Sequence, residues 1–178
     1  MYMREYWVQV HQSPIVYRYI DWSITVPLQM IEFNLILKAA GKSTTAAGFW
    51  KLLLGTVMML AFGYMGEEGV MDANIGFWIG MAGWFFILFE IFGGEAGGAA
   101  KDASPAVAQS FNTMRFIVTI GWAIYPAGYF FGYLRGAVSD EILNVVYNIA
   151  DLVNKIAFVL ACWSCAKQDS AAKASLLA

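Results

Sequence analysis

Tyr17-Arg-Tyr-Ile-Asp-Trp-Ser-Ile-Thr-Val-Pro-Leu-Gln-Met-Ile-Glu32 is apolar enough to cross a bilayer, yet it carries Arg18, Asp21, Thr25, Gln29 and Glu32. On a helix rising about 1.5 Å per residue, Asp21 and Glu32 share nearly one meridian and stand about 16 Å apart along the axis. Arg18, Thr25 and Gln29 fall at offsets of −3, +4 and +8 from Asp21 and broadly share that face. Ionisable groups in hydrocarbon are expensive and mark ion paths or counter-ions. The stretch therefore reads as a ladder for protons along one side of a membrane helix.

A counterpart lies near the C-terminus, in Tyr147-Asn-Ile-Ala-Asp-Leu-Val-Asn-Lys155. Asp151 and Lys155 are an i,i+4 pair inside another apolar segment and face the same way. A lysine in a membrane needs a counter-ion, a lowered affinity for its proton, or a covalent fate such as a Schiff base. A structural Lys155–Asp151 bridge is the plainer alternative.

Composition sets the class. The chain is 60% hydrophobic, only 13% charged, and carries net charge −2. That profile belongs to a polytopic membrane protein, not a soluble domain, and the charge argues against nucleic acid as a partner. Five segments are long enough to span: roughly 14–37, 46–64, 74–92, 110–134 and 141–164. Short connections join them, including the Gly-rich stretch 93–108, so residues 1–178 form one all-α membrane domain. Met1 to Ser13 has no apolar core and no signal-peptide character.

Lys38, Lys42, Lys51, Lys101, Arg115, Lys167 and Lys173 fall on one side of the bilayer, and Arg4 and Arg135 on the other. The Lys-rich side is expected to be cytoplasmic, with the N-terminus of the chain outside and the C-terminus inside. Asp21 then lies toward the outside and Glu32 toward the cytoplasm.

Arg18-Tyr-Ile-Asp-Trp22, Thr25-Val-Pro-Leu28, Gly121-Trp-Ala-Ile-Tyr-Pro126 and the Asp-x-x-x-Lys of 151–155 occur in an order and spacing that resemble the microbial rhodopsins, most closely the proteorhodopsins. The resemblance covers essentially the whole chain but begins late, with Met1 near the end of the second of seven helices. It implies an integral membrane bundle whose third to seventh helices are seen here. It also implies all-trans retinal as a Schiff base on Lys155, a bacterial inner-membrane location, and rings of five or six copies.

The same resemblance gives the polar residues roles. Asp21 is implied as proton acceptor and Asp151 as its companion counter-ion, with Arg18 balancing the negative charge. Glu32, among Met30, Ile31, Phe33 and Leu35, is implied to stay protonated in the dark and serve as internal donor; a glutamate reaching for the headgroups is the alternative. Thr25 stands one turn from Asp21 and either bonds its carboxylate or bonds back to its own helix. The set Asp21, Thr25, Glu32 matches the family's proton pumps, not its chloride or sodium pumps. Gln29 resembles the blue-absorbing type. Trp22, Met59, Trp84, Trp122, Tyr125 and Pro126 correspond to the box around the polyene, and Tyr125 is placed to bond Asp151. Light-driven outward proton pumping is the implied function; the alternative is a sensory rhodopsin signalling through a membrane partner.

Other signals carry less. Cys162 and Cys165, an i,i+3 pair, read as reduced thiols with no metal partner pair. Gly41-Lys42-Ser43 lacks the upstream glycine of a phosphate loop. Gly76-x-x-x-Gly80 and Gly128-x-x-x-Gly132-x-x-x-Gly136 read as close helix packing. His11 reads as an exposed histidine; the one that pairs with the acceptor in this family would precede Met1.

Overall fold

The structure is a computed structural model and describes residues 2–10, 13–42 and 44–177. Those residues are all helix and turn, with no strand among them. The helices are α1 (Tyr2–Val10), α2 (Ile15–Ala39), α3 (Ala46–Glu67), α4 (Ala73–Phe92), α5 (Glu95–Lys101), α6 (Pro105–Phe116), α7 (Ile124–Tyr129) and α8 (Asp140–Leu177). Two π-helical turns, Ile117–Gly121 and Phe130–Leu134, splice α6 and α7 into one longer rod. His11 and Ser43 lie outside the described residues.

Side-chain caps explain several helix starts. Thr45 Oγ1 accepts from Gly48 N at 3.2 Å to open α3. Asp72 Oδ1 accepts from Asn74 N and Ile75 N at 3.0 and 3.1 Å to open α4. Ser104 Oγ accepts from Val107 N at 3.4 Å, and Pro105 takes the first position of α6, where its missing N–H costs nothing.

Among the described residues, four helical stretches are long and apolar enough to cross a membrane: Ala46–Glu67, Ala73–Lys101, Pro105–Leu134 and Asp140–Ala172. The fifth expected span, α2, has 25 residues, which is ample length, but its own charges dilute its apolar character. Other boundaries also move. The helix of α3 runs to Glu67, three residues past the expected end at Tyr64. The Gly-rich 93–108 connection contains α5, because the buried Glu90 carboxylate accepts from Glu95 N at 2.7 Å and caps that helix. The last helix continues to Leu177, beyond the expected Ser164, with Gln168 Nε2 donating to Ser164 Oγ at 2.9 Å.

The core lies between α2, α4, the α6–α7 rod and α8. Phe33 packs edge-on against Phe111 at 5.0 Å and Phe158 at 5.5 Å, all fully buried. Outward side chains such as Leu54, Trp78, Phe89 and Leu152 are exposed, as a lipid-facing surface requires.

Small residues set the closest helix contact. A Cβ on Gly76 would stand 2.8 Å from Gly66 Cα and 2.8 Å from Phe62 O, so α4 and α3 touch through bare backbone. Gly128 and Gly132 face Tyr147 and Leu143 in the same manner, whereas Gly136 has φ +59° and serves a turn. Gly76→Val is expected to force α3 and α4 apart at a cost of about 1–3 kcal/mol, read as a lower thermal midpoint of helicity in detergent. An unchanged midpoint would mean that the two helices do not meet there.

Candidate functional site: a lysine between two carboxylates

Helix periodicity brings the polar groups of α2 and α8 face to face. Lys155 Nζ forms an ion pair with Asp21 Oδ2 and lies 3.6 Å from Asp151 Oδ2. The two carboxylates differ in support. Asp151 accepts from Trp22 Nε1 at 3.1 and 3.2 Å and from Tyr125 OH at 2.7 Å, the contact anticipated from the sequence. Those donors hold the Asp151 carboxylate in one orientation beside the lysine. Asp21 is paired with the lysine but receives no comparable clamp in the described residues. Thr25 Oγ1 donates to the backbone oxygen of Asp21 at 3.1 Å, so the back-bonding alternative is the one observed.

Arg18 is 1% exposed, and its guanidinium lies 4.7 Å from the Tyr147 ring centroid. Its Nη2 donates to Asn144 Oδ1 at 2.6 Å, not to Asp21. Arg18 therefore makes no direct hydrogen bond to Asp21 in this arrangement. Nearby, Tyr19 OH donates to Glu67 Oε1 at 2.9 Å. Arg18 Nε and Nη1, Glu67 Oε2 and Asn144 Nδ2 are buried without a partner. Such a group of unsatisfied polar atoms suits ordered water.

Lys155 opens into a cleft of about 780 Å³, counting its open side, which is mostly apolar. Trp22, Gln29, Met59, Trp84, Trp122, Tyr125 and Pro126, all singled out from the sequence, line it together with Asp151. Two of the walls depend on the π-helical turn at Ile117–Gly121. That turn releases backbone carbonyls from the ordinary helical ladder. Val118 O accepts from Trp84 Nε1 at 3.0 Å, and Gly121 O accepts from Asn154 Nδ2 at 3.0 Å. Trp84 is thereby locked, Trp122 is carried into the cleft, and the residue beside Lys155 is tied to the α6–α7 rod.

Glu32 lies on the other side of the lysine, three helical turns along α2 from Asp21. It is half-buried, and its Oε2 is 3.7 Å from Cys162 Sγ on α8. The cysteines are free. Sequence reasoning missed Glu67, Asn144, Asn154 and the Cys162 contact. Glu67 falls in the connection between the expected spans 46–64 and 74–92, and the others have no pattern beyond their polarity inside an apolar run.

These helices, with an intramembrane lysine, two carboxylates and an aromatic cleft, define a multi-pass membrane protein with a charged centre. Residues 1–168 match the family described as "Bacteriorhodopsin-like protein". The chain is 51% identical over 173 residues to the green-light absorbing proteorhodopsin of Gamma-proteobacterium EBAC31A08, covering 96% of this chain and 68% of that protein. It is 49% identical over 172 residues to the blue-light absorbing proteorhodopsin of Gamma-proteobacterium Hot 75m4, with the same coverage of 96% and 68%. The crystal structure of blue light-absorbing proteorhodopsin from Med12 superposes with a TM-score of 0.78 at 48% identity, covering 94% of this chain and 74% of that one. The chain belongs to the bacteriorhodopsin-like family, the microbial rhodopsins.

Proposed function

We propose that the chain is a light-driven outward proton pump of the blue-absorbing type, holding all-trans retinal covalently at Lys155. The observation that carries it is a lysine amine set between two carboxylates at an aromatic cleft, with a separate acid, Glu32, three turns away on the same helix as Asp21. The cleft fits a slender apolar chain: tryptophans wall it, and Lys155 is its amine. When bound, retinal supplies light absorption and an isomerisation that changes the proton affinity of the nitrogen at Lys155.

The chain's own residues do the rest. Asp21 holds negative charge beside Nζ and accepts its proton. Asp151, fixed by Trp22 and Tyr125, stays beside Nζ and steadies the cation. Glu32 then gives its proton to the nitrogen at Lys155 and recovers one from the cytoplasm. The aromatic cluster of Phe33, Phe111 and Phe158 limits water on that side. Acceptor outside, donor inside: the order makes transport outward.

Arg18 and the buried polar group around Glu67 lie on the exit side. The distribution of Lys and Arg supports an inner-membrane orientation with the N-terminus out and the C-terminus cytoplasmic. The five long rods take the places of the third to seventh helices of a seven-helix bundle. Assembly as a ring of five or six copies rests on family resemblance.

Gln29 supports the blue type. It is 7% exposed and lines the cleft. Excitation moves positive charge away from the lysine end, so a dipole there favours the ground state and widens the gap. Gln29→Leu is expected to shift the absorption maximum toward green, read directly from the visible spectrum; an unmoved maximum removes Gln29 as the tuning residue.

The test is the light-induced pH change of retinal-fed cells expressing the chain joined to the first two helices of a relative. Acidification of the medium that a protonophore abolishes is the expected result. Colour without acidification would overturn the pump and favour a photosensor.

A further inference from the structure

Cys162 sits where α2, α6 and α8 meet, with its Sγ 3.7 Å from Glu32 Oε2 and 3.6 Å from Met114 Sδ. The first distance suits a hydrogen bond from sulfur, a weak donor. Seven residues separate Cys162 from Lys155 on α8, two turns or about 10 Å, so both point to nearly the same side of that helix. The thiol therefore lies on the cytoplasmic side of Lys155, beside the acid of α2. The surroundings offer little else: Phe33 and Phe158 are fully buried nearby, and among the described residues no other hydrogen bond to the Glu32 carboxyl is formed.

We propose that Cys162 is a positioning residue for Glu32: its thiol donates to Oε2 and stabilises the carboxylate left behind when Glu32 releases its proton. This rests on the reading of Glu32 as internal donor. A protonated Glu32 is neutral and gains little from a weak S–H donor. The ionised carboxylate, in apolar surroundings, gains more. The contact therefore favours the state after proton transfer over the state before it, and lowers the barrier to release. It also fixes which oxygen faces α8, the helix that carries the acceptor nitrogen. The proton leaves the Glu32 carboxyl for the nitrogen at Lys155; the thiol keeps its own.

The experiment compares Cys162→Val, Cys162→Ser and Cys165→Val in the retinal-loaded protein, with Glu32→Gln as reference. Cys162→Val is expected to leave the dark absorption maximum unchanged. It should slow the recovery of visible absorbance after a flash about three- to tenfold, the worth of one modest hydrogen bond. In infrared difference spectra the Glu32 carboxyl C=O band should move as well. Cys162→Ser should restore most of the rate, since a hydroxyl still donates, and Cys165→Val should change nothing. Native recovery with an unmoved C=O band in Cys162→Val would overturn the proposal. If Glu32→Gln itself recovers at the native rate, the donor reading fails and this one goes with it. Should Cys162→Val not assemble, the S–H stretch of the native protein decides. A band below that of a free thiol supports the contact, and a band at the free-thiol frequency sinks it.

Discussion

Lys155→Ala is expected to give a colourless protein and to abolish light-driven acidification altogether. Two separate losses combine. The amine that would hold the chromophore is gone, so absorption in the visible disappears whatever else survives. The counter-ion arrangement also collapses: Asp21 loses its ion-pair partner and Asp151 loses the cation 3.6 Å away. Removing one partner of a part-buried ion pair leaves the remaining carboxylates without their compensating charge.

The second loss means that Lys155→Ala alone could mislead, since an unstable bundle would also be colourless. Lys155→Arg separates the two effects. A guanidinium keeps a positive charge between the carboxylates but is not a nucleophilic amine at any accessible pH. The expected result is a folded, helical, colourless protein. Visible absorbance with a bound chromophore in either variant would show that the covalent link lies elsewhere and would sink the whole reading of the site.

Legibility from sequence followed the cost of each feature. Charges inside apolar runs are so unfavourable in a bilayer that Arg18, Asp21, Asp151 and Lys155 stood out at once, and helical spacing placed them on facing sides. Their meeting in the structure follows from that periodicity. The stretch 93–108 was harder. Its glycines locally favour a loop, but the Glu90 carboxylate reaches five residues ahead and caps α5. That side-chain contact is not encoded in the pattern of glycines. Nor did the π-helical turns announce themselves. Ile117–Gly121 is an ordinary apolar sequence, and its widening is coupled to Trp84 and Asn154 on two other helices. Glu67 lies three residues past the expected span end at residue 64. The helix continues to it because Tyr19 and the close approach at Gly66 bring partners that no local pattern encodes.

Glu32→Gln is expected to leave the colour nearly unchanged and to slow completion of the cycle by about 100-fold or more, within the usual range for losing a positioned general acid. Glu32 is three helical turns from the Asp21–Lys155 pair, so the amide hardly perturbs the dark chromophore. It can hydrogen-bond but cannot give up a proton. The nitrogen at Lys155 must then draw its proton directly from the cytoplasmic water, past the Phe33–Phe111–Phe158 cluster. That route makes the rate proportional to proton concentration, so recovery should slow about tenfold for each unit rise in pH. The native protein, supplied by an internal acid, should show a flat profile over the same interval. Flash photolysis across a pH series on both proteins makes the comparison. The slope is what a merely structural glutamate would not change. A slowed but pH-independent Glu32→Gln would assign the defect to packing around Phe33, and a native rate would show that the proton enters by another path.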